Sequence, residues 1–226
     1  MDFLRRYGEK RNFVFVGEAG SGKSEIAVNL ALLLARGSGR EVHFFDLDMT
    51  KPIFRSRDLT EKLRHNGVTV HFEQQFMDAP TLTGGVVRCL KDDSCLCVLD
   101  VGGSEAGARA IGGYASWLNR DESCCFYVVN NYRPWSMDIG HIDAVLTQIL
   151  GVSHIELRQL RFVGNPNLGP GTTAEEFLAG RRELKTVLEP YVPIAFYCAR
   201  QEICPELTEA GEVLPLRLEM TYEWQS

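Results

Sequence analysis

The chain is expected to fold as a three-layer α/β sandwich, a mostly parallel sheet with helices on both faces, and three observations lead there. Short apolar, β-rich runs alternate with helix-forming segments along its length. Several runs, such as Phe13-Val14-Phe15-Val16 and Cys95-Leu96-Cys97-Val98-Leu99, are continuously apolar, as strands covered on both faces must be. The first run also enters a glycine-rich loop that opens directly into a strong helix former, a unit at home in parallel sheets.

The predicted strands are 12–16, 41–46, 68–72, 95–100, 125–130, 161–164 and 192–197. Helical spacing marks 25–35, 57–66, 106–118, 139–150 and 174–188. Thr172-Thr173 ahead of Glu175-Glu176 has the form of an N-cap with acids in the first turn, and Gly67, Gly151 and Pro190 serve as stops. The segment 74–85 is the least regular; an edge connection is favoured there over a loop near the site.

At 226 residues, 45% hydrophobic and 24% charged, the chain suits one globular domain spanning 1–226. No apolar run approaches the roughly 18 residues of a membrane span, and Met1 to Tyr7 lacks the pattern of a secretory signal, so a cytoplasmic protein is expected. The net charge of -6 is spread out and no basic stripe appears, which argues against nucleic-acid binding; Arg55, Arg57, Lys62 and Arg64 suit a solvated helix face. Seven cysteines form no C-x-x-C pair, and most fall inside apolar runs, so they are expected as buried free thiols. His43, mid-strand, is expected as a satisfied core or interface histidine, and His141 and His154 lack metal spacing.

The chemistry begins at Gly17-Glu18-Ala19-Gly20-Ser21-Gly22-Lys23-Ser24, which fits G-x-x-x-x-G-K-[ST]. Glycines let such a loop curl so that backbone N–H groups face phosphate oxygens. Lys23 adds a point charge, the Ser24 hydroxyl can ligate magnesium, and the next helix adds its positive end. In open α/β sheets the ligand lies beyond the carboxyl ends of the strands, and two of these carry acids. The second ends in Phe45-Asp46-Leu47-Asp48, and the fourth in Asp100-Val101-Gly102-Gly103. Phosphoryl transfer needs an acid for the magnesium shell, a donor near the γ-phosphate and a group to orient the attacking oxygen. Asp100 is assigned to magnesium through water, with Asp46 a further candidate for the metal, the Gly103 N–H to the γ-phosphate, and Asp48, with Asp46 behind it, to the attacking water. Asp46 and Asp48, two apart, would project the same way in an extended strand.

Together these segments resemble the MinD/ParA/CobQ group of P-loop nucleotide-binding proteins, which includes nitrogenase iron protein and dethiobiotin synthetase. Further marks are Val128-Val129-Asn130-Asn131-Tyr132-Arg133-Pro134, Lys51-Pro52-Ile53-Phe54-Arg55-Ser56-Arg57 and Arg161-Phe162-Val163-Gly164-Asn165-Pro166-Asn167. The resemblance implies that Asn165 contacts adenine, with Arg200 or Gln201 as weaker candidates, and that the ligand is ATP with magnesium. A guanine reader of the N-K-x-D type would need a Lys and an Asp that Asn165-Pro166-Asn167-Leu168 lacks. Many MinD and ParA proteins carry a Lys as the second loop residue, reaching across a nucleotide-sandwich dimer. This chain has Glu18 there, and an acid facing a partner's triphosphate repels it. A homodimer stays open, because Arg55, Arg57, Arg109 and Arg133 are available for that part, although surface ion pairing is the plainer role of each.

The leading expectation is an ATPase that acts as a nucleotide switch for a protein partner, its segments 46–57 and 100–107 ordered by the γ-phosphate. The alternative is a ligase that activates a small carboxylate, as dethiobiotin synthetase does, with Tyr132, Arg133 and Trp135 near its substrate or else simply packing. A nucleotide-dependent scaffold with negligible turnover is a third.

Overall fold

Strand β1 (Asn12–Gly17) is apolar on both sides and buried throughout, and it forms the centre of the sheet. Around it lie β2 (Glu41–Leu47), β3 (Val68–Phe72), β4 (Cys95–Val101), β5 (Ser123–Val129), β6 (Leu160–Gly164), β7 (Ile194–Arg200) and β8 (Val213–Leu216). They form one eight-stranded sheet in the order β3-β2-β4-β1-β5-β6-β7-β8, with every pairing parallel. The computed structural model describes residues 2–48, 57–72, 85–103, 105–207 and 211–220. Arg55, residues 74–84, the Tyr222-Glu223-Trp224 end and the side chains of Arg57 and Trp135 lie outside that description.

Alternation of side chains along each strand splits the core into two layers. One face carries Phe13, Phe15, Phe44, Val98, Phe126 and Phe196 against α1 (Phe3–Tyr7), α2 (Lys23–Gly37) and α3 (Arg57–His65). The other carries Val14, Phe45, Leu99, Tyr127 and Phe162 against five helices: α4 (Val86–Lys91), α5 (Glu105–Gly112), α6 (Ala115–Leu118), α7 (Ile139–Ser153) and α8 (Ala174–Leu188). The adjacent pair Cys124 and Cys125 divides between the two layers, as alternation requires. Phe3 of α1 sits 5.7 Å from Phe13 and 6.0 Å from Phe126, ring centre to ring centre, so this short helix is anchored by an aromatic cluster.

The expected three-layer class holds, and the differences lie in detail. The predicted helix 106–118 is two helices, α5 and α6. Gly112 and Gly113 weaken it at the break, and a side chain at Gly112 would press to 2.7 Å from the Val152 carbonyl of α7. Gly151 does not stop α7, which runs on to Ser153. The terminator is His154 in the left-handed region (φ 55°), whose N–H bonds the Leu150 carbonyl. Strand β7 starts at Ile194 rather than 192, because Pro193 has no N–H for the ladder, and it continues to Arg200. The expected cap of α8 is a full capping box, with Thr173 and Glu176 exchanging side-chain and backbone bonds.

Candidate nucleotide-binding site

The sheet order places β1 between β4 and β5, where the connections leave in opposite directions, so the loop after β1 opens into the crevice at the carboxyl ends. The loop's curl is built by Gly17, Gly20 and Gly22, at φ 135°, 79° and 89°. Gly17 has a second constraint, since a side chain there would lie 2.5 Å from the Val128 carbonyl of β5. Helix α2 starts at Lys23 with no side-chain cap, as an anion-binding helix end requires. Lys23, only 5% exposed, donates its ammonium to the Glu18 carbonyl at 3.3 Å across the loop.

Asp100, next to last in β4, is fully buried, and neither carboxylate oxygen receives a hydrogen bond of good geometry. Burial pushes its carboxyl up to about 6 against the opposing pull of Lys23 and of the nearby Ser24 hydroxyl, and Asp48 adds to the rise. A buried carboxylate with no hydrogen bond of good geometry, beside a lysine and a serine on a loop of this shape, fits a hydrated cation next to an anion.

Asp46 and Asp48 do not act as equals. Asp46 lies within β2, paired in register with Asp100 on β4, whereas Asp48 falls beyond the strand, where alternation no longer applies. The Asp46 carboxylate accepts the Asp48 N–H at 3.0 Å and so shapes the turn, and the Asp48 carboxylate lies against Gly102. Gly102 and Gly103 carry the chain across the mouth of the loop, with Gly103 packed on the Ala19 backbone and the Lys23 ammonium.

From the other side the loop is held by residues of β5, β6 and the segment after β5. The Asn165 amide donates to the Ser21 carbonyl at 2.8 Å, which leaves its Oδ1 buried without a partner. Arg133 Nε donates to the Gly20 carbonyl at 3.1 Å, and the Ser136 hydroxyl donates to Glu18 at 3.2 Å. Burial raises the Glu18 carboxyl above its ordinary value, with Ser136 opposing. The sequence carries no sign of this clamp, because Ser136 belongs to no motif and Arg133 suits an ion pair or a substrate contact equally well. Tyr132, in contrast, turns away to bond the Glu176 carbonyl at 2.5 Å and pack on Gly180 of α8. Arg200 bonds the Thr172 carbonyl, Gln201 is exposed, and Arg109 pairs with Glu105 within α5.

One residue past Ser24, Glu25 fixes the segment that follows β8. It accepts the backbone N–H groups of Glu219 at 2.6 Å and Met220 at 3.2 Å, while Asn29 holds Arg217 by two bonds. Burial pushes the Glu25 carboxyl up to about 7, against these hydrogen bonds, with the Glu219 carboxylate, itself paired with Lys62, adding to the rise. The folded value therefore lies above the unfolded one of 4.5. As pH rises between the two, the unfolded chain releases a proton that the folded chain keeps, so stability falls across that window by up to about 3 kcal/mol. Glu25→Gln should flatten the fall, as measured by denaturant unfolding at about pH 5 and about pH 8. An unchanged slope would remove Glu25 as its source.

Among the described residues, no helix is long and apolar enough to cross a membrane. The fold and the loop define a P-loop nucleotide-binding domain. Residues 13–161 match the CobQ/CobB/MinD/ParA nucleotide binding domain, and the chain belongs to that family. No curated protein matches it. Among solved structures it resembles the cell division protein FtsY of Thermotoga maritima, with 15% identity, TM-score 0.53, and coverage of 93% of this chain and 66% of that one. Chloroplast FtsY of Physcomitrella patens gives 15%, 0.51, 83% and 58%. FlhF complexed with GMPPNP and Mg2+ gives 10%, 0.50, 84% and 66%. These likenesses concern the fold, and the chain spans less than two thirds of the length of each of the three.

Proposed function

We propose that this protein binds ATP with magnesium and hydrolyses it as a switch read by a protein partner. The observation that carries the reading is Asp100, a fully buried carboxylate without a well-formed hydrogen bond beside Ser24 and Lys23. Ser24, and Asp100 through water, would hold the magnesium, which supplies charge neutralisation on the phosphoryl oxygens. Loop amides from Gly17 to Ser24 would cradle the phosphates, Lys23 would offset their charge, and the Gly103 N–H, packed against Ala19 and Lys23, is the donor assigned to the γ-phosphate. Asp48 orients the attacking water, and Asp46 holds the turn that carries it.

FlhF was solved with a guanine nucleotide, so guanine is the competitor to answer. Because Asn165 must donate to the Ser21 carbonyl, its Oδ1 is fixed as an acceptor, and an acceptor suits the exocyclic amine of adenine. Guanine presents a carbonyl at that position of the ring. The Glu18 carboxylate, tied to Ser136 within the same chain, leaves the switch to act without the cross-dimer lysine. Isothermal calorimetry with ATP and with GTP, each with magnesium, tests the assignment: saturable binding of ATP at least 10-fold tighter than GTP is expected, about 1.4 kcal/mol. Equal or reversed affinity would overturn adenine. Phosphate release from the same material, absent under every condition including added cell extract, would overturn hydrolysis.

A further inference from the structure

On the sheet face opposite α2, side chains of three elements bring soft donors together at the amino-terminal half of the sheet. Register pairs His43 of β2 with Cys97 of β4 and Glu41 with Cys95, and α4 lays Cys89 over the same patch. One ligand atom each from His43, Cys89 and Cys95 all lie within 4.8 Å of one another. Cys89 and Cys95 are buried at 7% and 3% exposure, and all described cysteines are free thiols. The imidazole of His43 is oriented from two sides: Nδ1 meets His71 Nε2 of β3 at 2.8 Å, and Nε2 meets the exposed Glu41 carboxylate at 3.2 Å.

We propose that His43, Cys89 and Cys95 form a binding site for a thiophilic d10 cation of the zinc(II) class. Two sulfurs and one imidazole nitrogen are the donor set such ions prefer, and magnesium or calcium would reject it. Tetrahedral zinc with Zn–S bonds near 2.3 Å needs its sulfurs about 3.8 Å apart, so the present spacing closes by small side-chain rotations. Binding releases the two thiol protons to solvent, and two thiolates with a neutral imidazole balance the dication, so the core of three ligands carries no net charge and a carboxylate in the fourth position adds one negative charge on the solvent side. No electron transfer is involved. The Glu41 carboxylate, at the solvent side of the ring, is the nearest further donor for a fourth position. His71 holds the ring in the manner of the outer partners that orient metal-bound imidazoles.

The site lies far from the phosphate loop. Cys95 begins the strand that carries Asp100 near its other end, five residues or about 16 Å further along at the strand rise. The cation therefore works as a staple, tying α4 to β2 and β4, and needs no nucleotide. The ligands come from three separate elements, so no local spacing in the sequence announces them.

Cobalt(II) titration of the full chain, reduced with a phosphine and monitored by absorption, tests the proposal. One equivalent is expected to give the thiolate-to-cobalt charge-transfer band and the visible d–d bands of a tetrahedral site, both erased by zinc. Cys89→Ser and His43→Asn should each weaken cobalt binding at least 10-fold, whereas Cys124→Ser, on the opposite face, should leave it unchanged. Far-UV circular dichroism identifies any variant that fails to fold; His43→Asn then decides alone, because its ring is not part of the deep core. Absence of the bands from folded, reduced wild-type protein overturns the site. So do bands that survive both ligand substitutions, or a Cys89–Cys95 disulfide forming on air oxidation in material that takes up no metal.

Discussion

Lys23→Ala is expected to abolish saturable binding of magnesium-ATP while leaving the protein folded. The ammonium is 5% exposed and already placed within the loop, bonded to the Glu18 carbonyl and close enough to Asp100 to favour its ionised form. Removing it costs the triphosphate a charge-assisted contact in a site where little water remains to substitute, on the order of 3 kcal/mol or at least 100-fold in affinity. It also leaves Asp100 without its nearest cation, so the carboxyl should hold its proton to higher pH and be a poorer partner for a metal shell. The two effects act in the same direction. Lys23→Arg should not restore binding, because a planar guanidinium cannot occupy the space of a point charge between the loop and Gly103. Calorimetry supplies the affinity, and a thermal melt separates a lost contact from a lost fold. Undiminished binding by folded Lys23→Ala would remove the loop from the ligand site and with it every role proposed for its neighbours.

How much of this was legible in the sequence follows from the range of the interactions. The loop, the strand before it and the helix after it are local patterns, and they stand where the motif put them, with Lys23 the first residue of α2. The carboxylates at the ends of β2 and β4 could be placed because a parallel sheet gathers its strand ends at one edge. Short elements were not legible. Helices α1 and α4 have too few residues to show a period, and β8 is held by pairing with β7 rather than by its own sequence. Nor did the sequence reveal which of two similar residues reaches the loop. Arg133 touches Gly20 and Tyr132 turns to α8, a choice made by the packing of α8 against the segment after β5 and invisible in the adjacent letters. The pairing of Asp46 with the Asp48 N–H is likewise a property of where β2 stops.

Gly103→Ala is the second substitution with a large expected effect, and it tests geometry rather than charge. A methyl group at this position would lie 2.5 Å from the Ala19 nitrogen, 2.7 Å from its Cα and 2.8 Å from the Lys23 ammonium. Two of those atoms are backbone and cannot swing aside, so either the 102–103 turn lifts from the mouth of the loop or the loop itself is pushed back. The first outcome withdraws the Gly103 N–H from the place proposed for the γ-phosphate; the second rotates the Ala19 N–H out of the cradle. Both act on the terminal phosphate more than on the base, whose proposed contact, Asn165, meets the loop from the other side at the Ser21 carbonyl. ATP affinity should therefore fall by about 100-fold and phosphate release by more, while ADP, which lacks the γ-phosphate, should lose about 10-fold or less. Gly39→Ala makes the control: its φ of 67° imposes a backbone strain that Gly103 does not carry, but nothing lies within 4 Å of the added methyl and it is distant from the loop, so a loss of general stability there should leave nucleotide affinity unchanged. Equal losses for ATP and ADP in Gly103→Ala would mean that the turn supports the loop as a whole and does not sense the γ-phosphate, and the switch would then need another reader.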